Sequence, residues 1–205
     1  MEKHPYIIGM AGGSGSGKTT FLNQLRSHFG ESELVLVSQD NYYRPREEQA
    51  MDNQGVINFD VPEALDLDKF HQDLLKLQKG EAIEQLEYTF NNNEAEATII
   101  KLESAPVILA EGLFVFHKEE IRNLLDFSIY FFADPDIRLQ RRIHRDAEER
   151  GYPESDVRYR WENHVRPADI QFLEPFEKDS DMIINNNRSF DVGLKHVVNL
   201  IKNQL

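Results

Sequence analysis

Short apolar runs alternate along the chain with segments whose apolar residues are spaced as in an α-helix. Short, largely apolar runs predict five strands, at residues 6–11, 34–37, 107–110, 127–132 and 182–184. Between them, apolar residues recur every three or four positions, as in Phe21, Leu22 and Leu25. Since buried strands that alternate with helices are typical of parallel sheets, the pattern predicts an α/β fold. We expect a doubly wound parallel sheet with helices on both faces.

The remaining segments complete one predicted domain, residues 1–205. Helices are predicted at 20–29 and 65–79, after Asp134-Pro135, at 156–165 and 167–178, and through His196 and Leu200. The runs 83–90 and 97–102 flank three asparagines and predict a small β-hairpin appendage at residues 83–102. The sequence contains no internal repeat or low-complexity tract that would divide the domain.

One octapeptide fits the phosphate-loop pattern G-x-x-x-x-G-K-[ST] at every fixed position. It follows the first predicted strand and opens a helix, which is the context that such a loop requires. A flexible Gly/Ser turn is the plainer interpretation, and the dinucleotide fingerprint lacks its third glycine. We expect Lys18 on the β- and γ-phosphates of ATP and the Thr19 hydroxyl on Mg²⁺. The candidate nucleotide-binding residues are Gly12, Gly13, Ser14, Gly15, Ser16, Gly17, Lys18, Thr19 and Thr20.

Two carboxylates follow buried strands on the same predicted edge of the sheet. Asp40 comes after the strand at 34–37, and Glu111 follows the strand at 107–110. Because ligands of parallel sheets bind beyond the carboxyl ends of the strands, both acids should face the phosphate loop. Either acid alone equally fits a turn or a helix cap. As a pair, they favour phosphoryl transfer, with one carboxylate as proton acceptor and another supporting Mg²⁺.

Asp60 has two interpretations. Asp60 and Glu63 are spaced as a capping box before a helix, and local physics favours that interpretation. Four aromatic residues form a second ambiguous group, because they suit either a substrate-binding wall or plain packing. They are Tyr42, Tyr43, Tyr88 and Phe90.

Positive charge is concentrated in one segment. Eight of the 13 arginines fall between Arg138 and Arg166, a stretch without lysine. These arginines could form a surface salt-bridge network with Asp146, Glu148 and Glu149. Exclusive use of arginine favours bidentate recognition of phosphate or carboxylate instead. Arg145 and Arg150, close to Gly151, indicate a mobile lid at about residues 141–160.

Composition narrows the class of partner. The 205 residues carry 36 acidic and 23 basic side chains, a formal net charge of −13. Such a surface repels nucleic acid and anionic lipid, so we expect a small-molecule substrate. The chain has no cysteine, no apolar run of membrane-spanning length and no signal-peptide pattern at its start, which favours the cytoplasm. Homo-oligomerisation is left open.

Taken in order, the motifs resemble the uridine kinase (uridine–cytidine kinase) family of P-loop kinases, close to the phosphoribulokinases. The similarity covers residues 5 to 185. The blocks that carry it are Gly12–Thr19, Ser38–Tyr43, Asn58–Pro62, Tyr88–Phe90, Ala110–Gly112 and Asp136–Gly151.

The resemblance implies transfer of the ATP γ-phosphoryl group to the 5′-hydroxyl of uridine or cytidine. It implies Asp40 as general base. In the resulting hypothesis, Lys18 and Thr19 hold ATP and Mg²⁺, and Glu111 supports the metal. The resemblance also implies that Asp60 binds the ribose, although the same carboxylate could still cap a helix. The other implied residues are Tyr43, Tyr88 and Phe90 at the nucleoside, and Arg142, Arg145 and Arg150 at the phosphates or in the closed lid. Asn93 is a further candidate substrate-binding residue, at a position where the chain departs from the family.

The chain departs from the family pattern where the base would be recognised. Asparagines occupy positions 91–93, and Val61 lies in the ribose segment, where the family usually has histidines. Tyr152 stands where the family usually has an arginine, and Arg160 where it has a glutamine. An asparagine still has a donor and an acceptor for a pyrimidine edge. A different acceptor therefore stays open: another ribose-bearing compound, a sugar phosphate or a pantothenate-like alcohol. A nucleotide-binding regulatory protein is the alternative of another class.

Overall fold

The computed structural model describes residues 4–87 and 98–205. Its strands are β1 (Tyr6–Ala11), β2 (Leu34–Ser38), β3 (Ile83–Leu86), β4 (Ile99–Leu102), β5 (Val107–Gly112), β6 (Phe127–Phe132) and β7 (Met182–Asn185). Five of them form a parallel sheet in the order β2-β5-β1-β6-β7. β3 and β4 pair antiparallel as a separate hairpin. The predicted parallel sheet and hairpin are both confirmed.

Helices cover both faces of the sheet. They are α1 (Lys18–Arg26), α2 (Leu67–Gln78), α3 (Glu119–Arg122), α4 (Pro135–Arg150), α5 (Glu154–Arg160), α6 (Arg166–Ala168) and α7 (Asp191–Lys202). Successive strand residues point to opposite faces, so each face has its own core. Ile7 and Ile108 pack with α2 on one face, whereas Ile8 and Leu109 pack with α1 and α7 on the other. Among the described residues, no helix is both long and apolar enough to cross a lipid bilayer.

The two helices predicted at 156–165 and 167–178 are one helical stretch. α5 continues through a π-helical turn at Trp161–Val165 into α6, and a second π turn follows at Asp169–Leu173. Wider turns flank Pro167, whose ring and missing N–H disfavour a regular α-helix. The proline therefore modifies the helix here without ending it.

The capping role favoured for Asp60 is wrong. Asp66 is the N-cap of α2, and its side chain accepts a hydrogen bond of 2.9 Å from the Lys69 N–H. Asp60 precedes a separate 3₁₀ turn at Pro62–Ala64, which has no side-chain cap. Leu65 has extended backbone angles and separates that turn from α2. The Asp60 carboxylate is thus available for another role.

Candidate active site

The phosphate loop adopts a backbone that requires glycine. Gly15 and Gly17 have φ angles of 79° and 101°, in the left-handed region that other residues rarely adopt. A Cβ on Gly13 would lie 2.0 Å from the Arg138 guanidinium. Any side chain at position 13 would displace that arginine from the loop.

Side chains from α4 and from the segment after β7 hold the carbonyl groups of the loop. Arg138 Nε donates to the Ser14 carbonyl over 3.0 Å, and its Nη2 is paired with the buried Asp169. The Ser16 carbonyl accepts from Arg141 Nη1 at 3.2 Å and from Asn186 Nδ2 at 2.8 Å. Asn186 and Asp169 were not predicted from the sequence, because they lie far along the chain and in no local motif. These hydrogen bonds hold the backbone of the loop in its observed shape.

A cavity of about 1090 Å³ opens at the carboxyl ends of β1, β2 and β5. It runs from the phosphate loop to the segment that contains Asp60. Its walls hold nearly all the predicted residues that the structure describes: Gly13–Thr20, Asp40, Tyr43, Asp60, Glu111, Arg142, Arg145, Arg150, Tyr152 and Arg160. Gly12 takes part through its carbonyl, which accepts from Lys18. Tyr88, Phe90 and Asn93 lie outside the described residues.

Lys18, Asp40 and Glu111 form the charged centre of the cavity. Lys18 Nζ donates to the Gly12 carbonyl over 2.6 Å. Burial lowers the pKa of Lys18, while the negative charges of Glu111 and Asp40 oppose that shift. Burial raises the pKa of Asp40 above its ordinary value, against the positive charges of Lys18, Arg150 and Arg145. A carboxylate with a raised pKa is a stronger base, which suits Asp40 to accept a proton.

Glu111 is held by a hydrogen bond that the sequence analysis did not foresee. Ser38 Oγ donates to Glu111 Oε1 over 2.6 Å, because Ser38 and Glu111 are register partners of β2 and β5. Glu111 lies within β5 and does not follow it as predicted. Burial and the nearby charge of Asp40 both raise its pKa. The serine at the end of β2 was the one feature of the sequence from which this hydrogen bond could have been predicted.

The far end of the cavity contains Asp60 and two aromatic rings. Burial raises the pKa of Asp60, and Arg142, His164 and Arg160 counteract that shift. The rings of Tyr43 and Phe59 pack edge to face, with centroids 5.9 Å apart. This end is therefore a mixed polar and aromatic pocket, suited to a small organic molecule that carries hydroxyl groups.

Tyr42 does not belong to the pocket. Its side chain is 3% exposed, packs edge to face on Phe70 and donates a hydrogen bond of 3.1 Å to Asp73. Of the two candidate wall tyrosines that the structure describes, only Tyr43 lines the cavity. Tyr42 therefore packs against α2, which the sequence pattern did not reveal.

A buried carboxylate in α4 contacts three arginines of the same helix. Asp146 is 2% exposed and lies 2.7 Å from Arg145, 3.3 Å from Arg142 and 3.3 Å from Arg150. Arg142 Nη1 also donates to Ser14 Oγ over 3.0 Å. Asp146 is therefore not part of a solvated salt-bridge surface, as one interpretation held. It arranges three guanidinium groups beside the phosphate loop, where they are suited to phosphate recognition.

Residues 7–193 match the family described as the Phosphoribulokinase / Uridine kinase family. Proteins named "Uridine kinase" are 38% identical in Brevibacillus brevis, over 88% of this chain and 85% of the relative, and 35% identical in Halalkalibacterium halodurans, over 98% and 96%. The chain belongs to the phosphoribulokinase/uridine kinase family. Membership of this family makes the protein an ATP-dependent P-loop kinase that acts on a small-molecule substrate.

Solved structures of kinases share the fold. A phosphoribulokinase from Rhodobacter spheroides superposes with a TM-score of 0.63, covering 90% of this chain and 71% of that one at 21% identity. The structure titled "a Possible Uridine Kinase" from Bacillus stearothermophilus gives a TM-score of 0.62, covering 89% and 90% at 18% identity. At these identities the likeness shows the parallel-sheet fold of the family and nothing finer.

The raised pKa of Asp60 can be tested by measuring how the stability of the protein depends on pH. Because burial raises its pKa in the folded state, ionisation of Asp60 costs stability as pH rises through that value. Below the unfolded pKa of ~4, both states are protonated and the cost disappears. We therefore expect Asp60→Asn to melt at a higher temperature than wild type at pH 8, with the gain shrinking towards pH 4. Scanning fluorimetry between pH 4 and pH 8 measures this difference in melting temperature. A difference that does not change with pH would show that the pKa of Asp60 is not raised in the folded protein.

Proposed function

We propose that this kinase transfers the γ-phosphoryl group of ATP to the 5′-hydroxyl of a pyrimidine ribonucleoside, uridine or cytidine. One observation carries the proposal: the phosphate loop, Asp40, Tyr43 and Asp60 all line a single cavity, and the charge of Lys18 in the loop acts on Asp40. The relatives of 33–38% identity named "Uridine kinase" support the same substrate.

Asp40 is the proposed general base. It would accept the proton of the acceptor hydroxyl as the oxygen forms its bond to the γ-phosphorus and the bond from that phosphorus to ADP breaks. Its carboxylate suits this task because desolvation in the cavity raises its pKa, while the positive charge of Lys18 favours the ionised form. The phosphate loop, residues 12–20, is proposed to bind the nucleotide, with Lys18 on the transferred group.

The donor set beside the phosphate loop fits Mg²⁺. The Thr19 hydroxyl and the Glu111 carboxylate line the same cavity. Mg²⁺ in kinases is usually held by one or two carboxylates together with substrate phosphates, so a sparse oxygen set is appropriate. When bound, the ion neutralises charge on the phosphates. Thr19 and Glu111 are its proposed ligands.

Three further groups complete the proposed site. Asp60 and Tyr43 would bind the nucleoside, together with Tyr88, Phe90 and Asn93, which lie outside the described residues. Arg142, Arg145 and Arg150 would contact phosphate oxygens. The segment at about 141–160 would act as a lid within a single domain. Gly151, with φ of 67°, ends α4 at the point where such a lid could turn.

A second acceptor class is favoured by one feature of the pocket. Arg160 and Tyr152 both line the cavity, and the Arg160 guanidinium lies 5.9 Å from the Tyr152 ring centre. An arginine at the acceptor end suits an acceptor with an anionic group, such as a sugar phosphate. A different ribose-bearing compound or a pantothenate-like alcohol would retain the same phosphoryl transfer.

An acceptor panel distinguishes these substrates. Purified protein with ATP and Mg²⁺ is assayed for ADP release in the presence of uridine, cytidine, adenosine, ribulose 5-phosphate or pantothenate. We expect uridine or cytidine to raise ADP release at least about tenfold above the rate without acceptor, because bound acceptor supplies the oriented hydroxyl. Turnover with the sugar phosphate and none with either pyrimidine nucleoside would reverse the order of the two proposals.

A further inference from the structure

The turn at residues 50–58 lies at the acceptor end of the cavity. Its arms pair between Met51 and Ile57. Ile57 lines the cavity, as do Phe59 and Asp60 directly after the turn. The position of the turn therefore determines where this wall of the acceptor pocket lies.

Asp52 connects this turn to the helical stretch that follows α4. Its Oδ1 accepts the backbone N–H groups of Gln54 and Val56 over 2.8 and 2.9 Å, which shapes the turn. Its Oδ2 accepts the Tyr159 hydroxyl at 2.6 Å and lies 2.8 Å from His164 Nε2. One carboxylate thus serves two separate elements, one through each oxygen.

The connection is well shielded and charged. His164 is 2% exposed at its side chain, and Asp52 is 18% exposed. The hydrogen bond from Tyr159 holds the pKa of Asp52 below its ordinary value, so the carboxylate is ionised at neutral pH. Because an ionised carboxylate only accepts hydrogen bonds, the facing His164 Nε2 carries a proton. A bond from Arg160 Nη1 to the Ile57 carbonyl, 3.1 Å long, adds a second connection nearby.

We propose that Asp52, Tyr159 and His164 form a latch that positions the acceptor end of the site. The latch holds the turn and the following Asp60 segment against α5, and so sets the affinity for the acceptor. The contacts to the phosphate-loop carbonyls come from other side chains, Arg138, Arg141 and Asn186. The latch therefore acts on acceptor binding and not on ATP binding. This inference depends on the proposed function in placing the acceptor at Asp60.

Asp52→Asn tests the latch with little change in shape. Asparagine keeps one oxygen for the Gln54 and Val56 N–H groups but presents an NH₂ group that cannot accept from Tyr159 or His164. We expect the KM for uridine, or for whichever panel acceptor turns over fastest, to rise about tenfold with loss of these charge-assisted bonds. The KM for ATP is expected to stay unchanged. Tyr159→Phe removes one of the two bonds and should give a smaller rise of the same kind.

Glu162→Gln is the matched control. Glu162 is exposed on the helical stretch that carries Tyr159 and His164, and its substitution removes one negative charge, as Asp52→Asn does. It should behave as wild type. An equal rise in both KM values for Asp52→Asn or Tyr159→Phe would overturn the latch. Asp60→Asn separates the two proposals. If it raises the acceptor KM while the latch variants do not, the latch is wrong. If none of these variants changes that KM, the acceptor position is wrong.

Discussion

Asp40→Asn is expected to lower kcat by about 10³-fold, within the range that a positioned general base contributes. Asparagine has nearly the same size and cannot accept the proton of the acceptor hydroxyl. The carboxylate lies beside Lys18, Arg145 and Arg150 in the cavity. Steady-state ADP release with saturating ATP and acceptor measures the loss.

Nucleotide binding supplies the internal control for this variant. The phosphate-loop hydrogen bonds do not involve Asp40, so the Kd for ATP, from calorimetry, should remain close to wild type. Asp179→Asn is the matched substitution, at an exposed residue outside the active-site cavity, and should retain full activity. A kcat for Asp40→Asn near the wild-type value would remove this residue from the mechanism.

Lys18→Met is expected to lower kcat/KM for ATP by about 10²- to 10³-fold, the usual cost of losing a group that stabilises transition-state charge. The ammonium group donates to the Gly12 carbonyl and interacts with the charges of Glu111 and Asp40. Methionine preserves the length of the side chain and removes its charge. Initial rates at varied ATP concentration measure this loss.

The same variant should also change the pH profile. Lys18 is the strongest of the positive charges that lower the pKa of Asp40. Without it the pKa of Asp40 rises further, so the acidic limb of the residual kcat/KM profile should move to higher pH. The direction follows because Asp40 must be ionised to act as a base. A profile with an unchanged acidic limb would show that the two groups do not interact as described.

Local patterns predicted the parts of the site that local chemistry defines. Gly17 has a left-handed backbone that favours glycine, and it occupies a fixed position of the phosphate-loop pattern. The strand-end argument predicted that Asp40 and Glu111 would share one cavity, which they do, although Glu111 lies within β5 and not after it. The comparisons established the family and left the roles of individual residues as proposals.

Long-range contacts could not be predicted in this way. Asn186 lies 170 residues from the Ser16 carbonyl that it binds, and Asp52 lies 112 residues from His164. No periodicity or motif connects such pairs, because the fold alone brings them together. Asp60 shows the opposite failure, since a plausible local cap competed with Asp66 and lost when Leu65 took an extended conformation.

The most direct test follows the phosphoryl group itself. ATP labelled at the γ-phosphate is incubated with the protein, Mg²⁺ and uridine, and the products are identified by ³¹P NMR and mass spectrometry. The account predicts one labelled uridine 5′-monophosphate for each ADP formed. Label recovered as inorganic phosphate, with the nucleoside unchanged, would contradict a site in which Asp40 presents an acceptor hydroxyl to the nucleotide.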